Sequence, residues 1–304
     1  MANPASSSRP VSAWTDLCLL TGCWASGFTF TAMALDGVSP EWLVVLRQLT
    51  ATLMLLPLAL LMARSLRVPR ALWGWLVALA VIGDLAPFYV ISWGQQHIAS
   101  GLAAILVTTM PLMTLAMAHV FVAGERMTVR RVAGFVLGLV GVVLIIGPRT
   151  LLTIGAGEIS VLAQLAVLFG ALLFAANAII ARQMPAMDIW MRAALVNGLA
   201  FVIGLPLAWA AVPPPMAFPG WWAVVGIIGT GVFASGFATV IYFRLVDEAG
   251  PTFMSLTNYL VPPVALLAGI LVLGERPTPW ALLGLGLILA GIAVAELNWR
   301  RVPR

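Results

Sequence analysis

Lysine is absent from these 304 residues, and charged side chains of every kind make up only 9% of them. A soluble domain carries roughly 25% charged residues. So large a deficit excludes a water-facing surface over most of the chain, which must meet lipid instead. Cysteine and histidine are nearly absent too, at two residues each. Cys18 and Cys23 are five apart, on different faces of one apolar run, so neither a disulfide framework nor a thiolate metal cluster is available. With only His97 and His119 besides, no metal and no cofactor are expected. The sixteen basic residues are all arginine. They are scattered over short connections and form no patch, which excludes nucleic-acid binding as a reading. There is no Gly-x-Ser-x-Gly, no His-Glu-x-x-His, no cluster of carboxylates and no nucleotide-binding loop. An enzyme and a directly ATP-driven pump are therefore not expected.

What remains is apolar: 62% of the chain. Crossing a hydrocarbon core takes about 20 apolar residues per helix. Ten stretches qualify, near 14–33, 41–62, 72–93, 100–122, 131–147, 159–181, 190–211, 220–243, 252–273 and 279–297. No connection is long enough for a soluble domain. The expected fold class is an all-α membrane protein, a single integral domain of ten transmembrane helices. Residues 1–13 read as a short disordered tail. The run after them is too long for the core of a cleaved signal and is kept as the first span.

Charge sets the orientation. Arg9, Arg64, Arg67, Arg70, Arg126, Arg130, Arg131, Arg182, Arg192, Arg244, Arg300, Arg301 and Arg304 all fall on one side of the ten spans. The other side holds Arg149 and Arg276, with Asp36, Glu41 and Glu158. Both termini are thus expected in the cytoplasm, with the chain in a bacterial inner membrane. The chain also repeats itself. Gly124-Glu125-Arg126 closes span four and Gly274-Glu275-Arg276 closes span nine, 150 residues on. At that offset Gly134 meets Gly284 and Gly141 meets Gly291. Two halves of five spans follow, 14–147 and 159–297. Five is odd, so the second half enters the membrane from the other side. Such inverted repeats are characteristic of alternating-access transporters, with the binding site near midplane between the halves. Channels use them as well, and a duplication kept for stability alone is the plainer alternative.

Ten spans in two halves, each closed by Gly-Glu-Arg at its fourth span, resemble the drug/metabolite transporter superfamily and its EamA-type ten-helix members. The resemblance is carried by "SGLAAILVTTMPLMTLAMAHVFVAGERMTVRRVAGFVLGLVGVVLIIG" and "AGPTFMSLTNYLVPPVALLAGILVLGERPTPWALLGLGLILAGIAVAE". It covers essentially the whole chain, and within the family the chain is most similar to bacterial amino acid exporters. The resemblance implies efflux of amino acids or similar small amphipathic metabolites through a central cavity. That cavity would be lined by spans one, three, four, six, eight and nine, with five and ten at the periphery. Partners are then a small amino acid-like substrate and the lipid bilayer, with the proton as candidate coupling ion. A channel-like facilitator and a membrane-embedded enzyme are the alternatives.

Eleven of twelve Trp sit at span ends, as amphipathic aromatics do at membrane interfaces. Trp24 alone is at mid-span. It either packs or lines a cavity, and the resemblance favours the cavity. Asp84, midway along span three, costs about 2.5–3.5 kcal/mol at that depth on insertion scales. It is expected to bind an amine or a proton, or else to pair structurally, with Arg47 as the nearest candidate. Arg47 itself is expected to snorkel outward. Asn177, Asn258, Thr108 and Thr109 are polar groups that serve either a substrate or helix–helix contacts. Tyr89, Tyr259 and Phe237 complete an aromatic pocket if the implied helix placement holds. Pro87, Pro111 and Pro262 each remove a backbone hydrogen bond near midplane and are candidate hinges.

Overall fold

The computed structural model describes residues 11–63, 65–121, 128–146, 159–249, 254 and 257–296, and every regular element among them is helical. The first is α1 (Val11–Leu35), followed by α2 (Pro40–Met62). A bent rod then runs from a short turn at Arg70 through α3 (Trp73–Ala78) and a π-helical stretch, Leu79–Leu85, into α4 (Ala86–Gln95). After it come α5 (Ser100–Val107), α6 (Met110–Phe121) and α7 (Val129–Ile146). The second half holds α8 (Ile159–Gln183), α9 (Ile189–Ala211) and α10 (Trp221–Ile228). A second π-helical stretch, Gly229–Phe237, leads into α11 (Ala238–Ala249). Last are α12 (Thr257–Leu273) and α13 (Pro279–Glu296).

Seven of these rods are long and apolar enough to cross a membrane, from residues 12–35, 40–62, 70–95, 100–121, 159–183, 189–211 and 221–242. Of the other three expected spans, α12 and α13 are apolar but shorter, and α7 opens on Arg130 and Arg131. Their outer faces are greasy: Leu61, Leu271 and Leu283 are exposed, which water would penalise and lipid does not. Helix α1 begins at Val11, three residues ahead of the expected start of the first span, and Ala13 is already buried. Residues 1–10 lie outside the described residues, as do Glu125 and Arg126.

Local chemistry sets the ends and the bends. Pro40 stands in the first turn of α2, where its missing N–H costs nothing. Asp188 caps α9 by accepting from the N–H groups of Trp190 (3.0 Å) and Met191 (3.2 Å). Pro87 cannot donate to the preceding turn, and just before it the Ala86 N–H reaches back five residues to the Val81 carbonyl. Thr108 and Thr109 interrupt the rod formed by α5 and α6 one turn before Pro111 would have donated. The second π stretch has no proline. It is glycine-rich, and its glycines let α1 and α2 come close: a methyl on Gly229 would meet the Phe30 ring at 2.5 Å, and one on Gly231 would sit 2.7 Å from the Arg47 carbonyl.

The two peripheral helices α7 and α13 pack through glycine backbones. A methyl on Gly134 would lie 2.4 Å from the Gly291 carbonyl oxygen, and one on Gly141 2.8 Å from that of Gly284. The sequence numbers rise along one helix as they fall along the other, so the pair is antiparallel. The α2–α9 pair runs antiparallel as well, Val45 lying on Gly204 and Thr52 on Gly198. Inside these pairs, α1 packs on the α10–α11 rod and on α12, while α4 packs on α8.

Candidate functional site

Two opposite charges of this bundle, Arg47 and Asp84, lie where α2, the α3–α4 rod and the second π stretch meet. Arg47 is seven residues into α2, about 10 Å from its start. Its side chain is 6% exposed, and it turns inward. Nε donates to the Ser235 hydroxyl at 2.9 Å, and Cζ stands 3.6 Å from the centroid of the Phe88 ring. A guanidinium over a ring face is a favourable cation–π arrangement, stronger when desolvated. The outward snorkel expected for Arg47 is therefore not what forms. An inward turn gains Ser235 and Phe88, and the closely packed glycines of the second π stretch open the room for it.

Asp84 sits in the first π stretch, about 16 Å from the end of α4 at Gln95. Arg47 acts on its carboxylate through space, and Gln48 lies beside it. Among the described residues the two charges form no ion pair within contact distance, unlike Asp16 and Arg244, which do. Gln48 is fully buried, and neither end of its amide reaches hydrogen-bonding geometry with a described group. Across the site Asn177 of α8 leans on Gly83, where a methyl would come within 2.4 Å of its Oδ1, an oxygen that is buried and accepts no hydrogen bond. Phe174, one turn earlier on α8, meets Phe88 edge-on at 5.3 Å. Buried polar atoms are nearly always paired. Arg47, Gln48, Asp84 and Asn177 therefore form a polar island whose hydrogen-bonding capacity is only partly used.

A model of the EamA-like transporter family matches the chain twice, over residues 14–147 and 161–296. The chain belongs to the EamA-like transporter family. This EamA protein is 30% identical over 300 residues to the probable terminal-alkyne amino-acid exporter of Streptantibioticus cattleyicolor, spanning 95% of this chain and 94% of that one. It is 26% identical to the uncharacterized transporter YoaV of Bacillus subtilis, over 90% of this chain and 94% of that one. It is 25% identical to the S-adenosylmethionine/S-adenosylhomocysteine transporter of Chlamydia muridarum, over 88% and 86%. A solved crystal structure shares the fold at a TM-score of 0.64 and 20% identity, over 96% of this chain and 99% of that one. Family, relatives and greasy helices together make this a multi-pass membrane transporter protein.

The EamA bundle gathers some of the residues singled out from sequence and separates others. Asp84, Asn177 and Pro87 belong to the polar island or border it. Trp24 faces elsewhere: its ring lies 6.0 Å from that of Tyr242, in an apolar cluster with Leu20 and Ile241 where α1 meets α11. Thr108 and Thr109 spend their hydroxyls on their own helix, donating to the carbonyls of Ala104 (2.9 Å) and Leu106 (2.7 Å). Tyr259 packs on the cluster around Ile105, Leu112 and Leu266, below buried Pro262, while its neighbour Asn258 is half-buried. Tyr89 points away from the island and donates to Glu41 at 3.3 Å. Phe237 is 44% exposed and stacks on Phe233 on the outer face.

Three features of the EamA protein escaped the sequence reading. Ser235 and Gln48 looked like ordinary helix polars, and only the adjacency of Gln48 to Arg47 hinted at more. Asp16, in the second turn of α1, forms a two-pronged ion pair with Arg244 of α11 through Nε and a terminal nitrogen. A cavity of about 330 Å³, lined by Ser12, Thr15, Asp16, Leu19 and Arg244, opens beside the pair. Glu275, noticed only as part of the repeated tripeptide, caps the start of α5. Its carboxylate accepts from the N–H groups of Ser100 (2.6 Å) and Gly101 (3.0 Å). Gly274 takes a φ of 68°, the left-handed turn that favours glycine, and swings Glu275 back to that helix end.

Proposed function

We propose that this protein is a secondary transporter that exports amino acids or similar small amphipathic metabolites by alternating access, and that it is not an enzyme. Ten membrane spans in two inverted five-span repeats, 14–147 and 159–297, form its body, with both termini in the cytoplasm of a bacterial cell and the site between the repeats. Four observations support the architecture. The family model matches twice. The two π stretches begin 150 residues apart, at Leu79 and Gly229, the same offset as the tripeptides. Gly134 lies against Gly291 and Gly284 against Gly141, which is reciprocal at that offset, in an antiparallel pair. The arginines fall almost wholly on one side.

The observation that carries the functional reading is a pair of opposite charges inside a lipid-embedded bundle, Arg47 buried and Asp84 partly buried on a neighbouring element. Ionisable groups at membrane depth are costly and mark substrate or ion pathways. The amino acid reading follows from the named relatives. One is named as a probable exporter of a terminal-alkyne amino acid, and another as a transporter of S-adenosylmethionine and S-adenosylhomocysteine, compounds that share the α-ammonium and α-carboxylate of an amino acid. The decisive experiment is flux of labelled amino acids into proteoliposomes, with and without an imposed pH gradient. Saturable flux is expected for some amino acids, and trans-stimulation by internal substrate would separate a carrier from a channel. Absence of flux for every amino acid tried would overturn the reading. A gradient that changes nothing would remove the proton as coupling ion.

A further inference from the structure

We propose that Arg47 and Asp84 hold the two charged ends of a zwitterionic α-amino acid, the guanidinium taking the carboxylate and the Asp84 carboxylate taking the ammonium. The inference rests on the amino acid transport reading above and adds the atoms that would read the substrate.

The argument starts from the separation of the charges. Both side chains turn into the bundle, on adjacent helices, and yet no contact ion pair forms between them among the described residues. A charge pair inside a membrane protein repays its desolvation only when the partners touch with good geometry. Two opposite charges held apart leave that debt standing. A zwitterion clears it without adding net charge, since it brings one counter-charge to each side, its ammonium and its carboxylate being carried on the same α-carbon. A bare amine or a bare acid would neutralise one side and leave the other alone.

Donor arithmetic points the same way. A guanidinium carries five N–H donors in a rigid fork that matches a carboxylate two-on-two. Among the described residues Arg47 engages Ser235 through Nε, and that bond fixes the plane of the fork from behind. Phe88 supports the same plane from one face. An arginine so fixed is positioned to bind with little loss of freedom. Around it, the Gln48 amide and the Asn177 carbonyl oxygen retain hydrogen-bonding capacity. The Phe88–Phe174 pair offers aromatic surface for an apolar substrate side chain. At the 150-residue offset Arg47 becomes Asn197 and Asp84 becomes Ala234, so the bundle builds one such site and not two.

The test uses the full-length protein in lipid nanodiscs and reads ligand binding by thermal shift and by competition. Apolar amino acids are compared with their own truncated forms: L-phenylalanine against 2-phenylethylamine and 3-phenylpropanoate, and L-leucine against isopentylamine and 4-methylpentanoate. The amino acid that binds is expected to do so at least tenfold more tightly than either truncated form. In Arg47→Gln the advantage over the amine should shrink toward onefold while the advantage over the acid persists. In Asp84→Asn the pattern should reverse. An amine or an acid that competes as well as its amino acid in the natural protein would overturn the inference and leave the transporter reading standing, and this arm needs no variant to fold. Equal losses for all three ligands in both variants would overturn it too, by assigning the two residues to packing. If no amino acid binds or is transported, the transport reading itself fails.

Discussion

The two halves of this bundle put the same packing to different uses. In the first half, α2 carries Arg47 and Gln48 inward to meet Asp84 and Ser235. In the second, Arg47 and Gln48 correspond at the 150-residue offset to Asn197 and Gly198 on α9, while Asp84 corresponds to Ala234 and Ser235 to Leu85. Asn197 is buried like Arg47, but it donates to its own helix, to the Ala193 carbonyl at 2.9 Å. The backbones are alike enough to keep a π stretch at equivalent places. Only one copy was given charge. A second contrast lies nearer the helix ends. Asp16 of α1 and Arg244 of α11 close their seam with an ion pair, whereas the matching positions hold the uncharged Ala166 and Gly94, and a methyl on Gly94 would fall 2.6 Å from Val167. The two stretches matched by the family model share a packing pattern, and charge is placed in only one of them at these positions.

The contrast makes predictions. The largest effect belongs to the charged island. Removing one member, as in Asp84→Leu, leaves Arg47 buried and uncompensated. It should cost about 3 kcal/mol or more, while the double change Arg47→Met with Asp84→Leu recovers most of that loss. Asn197→Leu should cost about 1 kcal/mol, the worth of one hydrogen bond. Thermal unfolding in detergent measures all three, and an Asn197 effect as large as that of Asp84 would end the asymmetry.

Next is close packing in the second π stretch. Gly231 stands where the first half has Val81. A methyl on it would meet Thr50 Oγ1 at 1.7 Å and the Arg47 carbonyl at 2.7 Å. Gly231→Val should therefore destabilise by about 2 kcal/mol, in the range of overpacked cores. Gly286→Ala has nothing within 4 Å and should be neutral or stabilising, by up to about 1 kcal/mol from helix propensity. A tolerated Gly231→Val would mean that the two π stretches are not packed differently after all.

A smaller loss is expected at the helix cap. Glu275→Ala removes both acceptors from the start of α5 and should cost about 1–2 kcal/mol, with Glu275→Gln recovering part. Hydrogen exchange at Ser100 and Gly101 would report it locally, and unchanged protection there would remove Glu275 from that role. The smallest effect is at the ion pair. Arg244 is half exposed, so Asp16→Asn should cost no more than about 1 kcal/mol and lose its effect in high salt. A large, salt-independent loss would show that this seam is as buried as its partner.

Much of the fold was legible because lipid makes harsh demands. A helix that must satisfy its own backbone across about 30 Å announces itself as an apolar run, and the 150-residue offset survived in the glycines and the Gly-Glu-Arg tripeptides. The site was only partly legible. Asp84 and Asn177 stood out as polar residues at depth, and the structure brings them together. Tyr89, Phe237, Thr108 and Trp24 were equally visible in the sequence, but helix rotation directs them to Glu41, to the outer face, to their own backbone and to Tyr242. Seven or eight residues along a span fix depth and say nothing about azimuth, and a bend can turn a whole face.

By itself, the sequence determined that this chain lives in a membrane and that its two family-matched stretches share glycines and a tripeptide at a 150-residue offset. Each follows from composition or spacing, because the cost of placing a charge or a free peptide group in hydrocarbon depends on the residue and hardly on its neighbours. Tertiary structure alone decided that Arg47 turns in toward Ser235 and Phe88 when it could have reached outward, that Asp16 finds Arg244 228 residues away, and that Glu275 ends on the cap of α5. Those outcomes depend on which helix faces meet. That is settled by glycine contacts and π-helical bends acting between segments far apart in the chain.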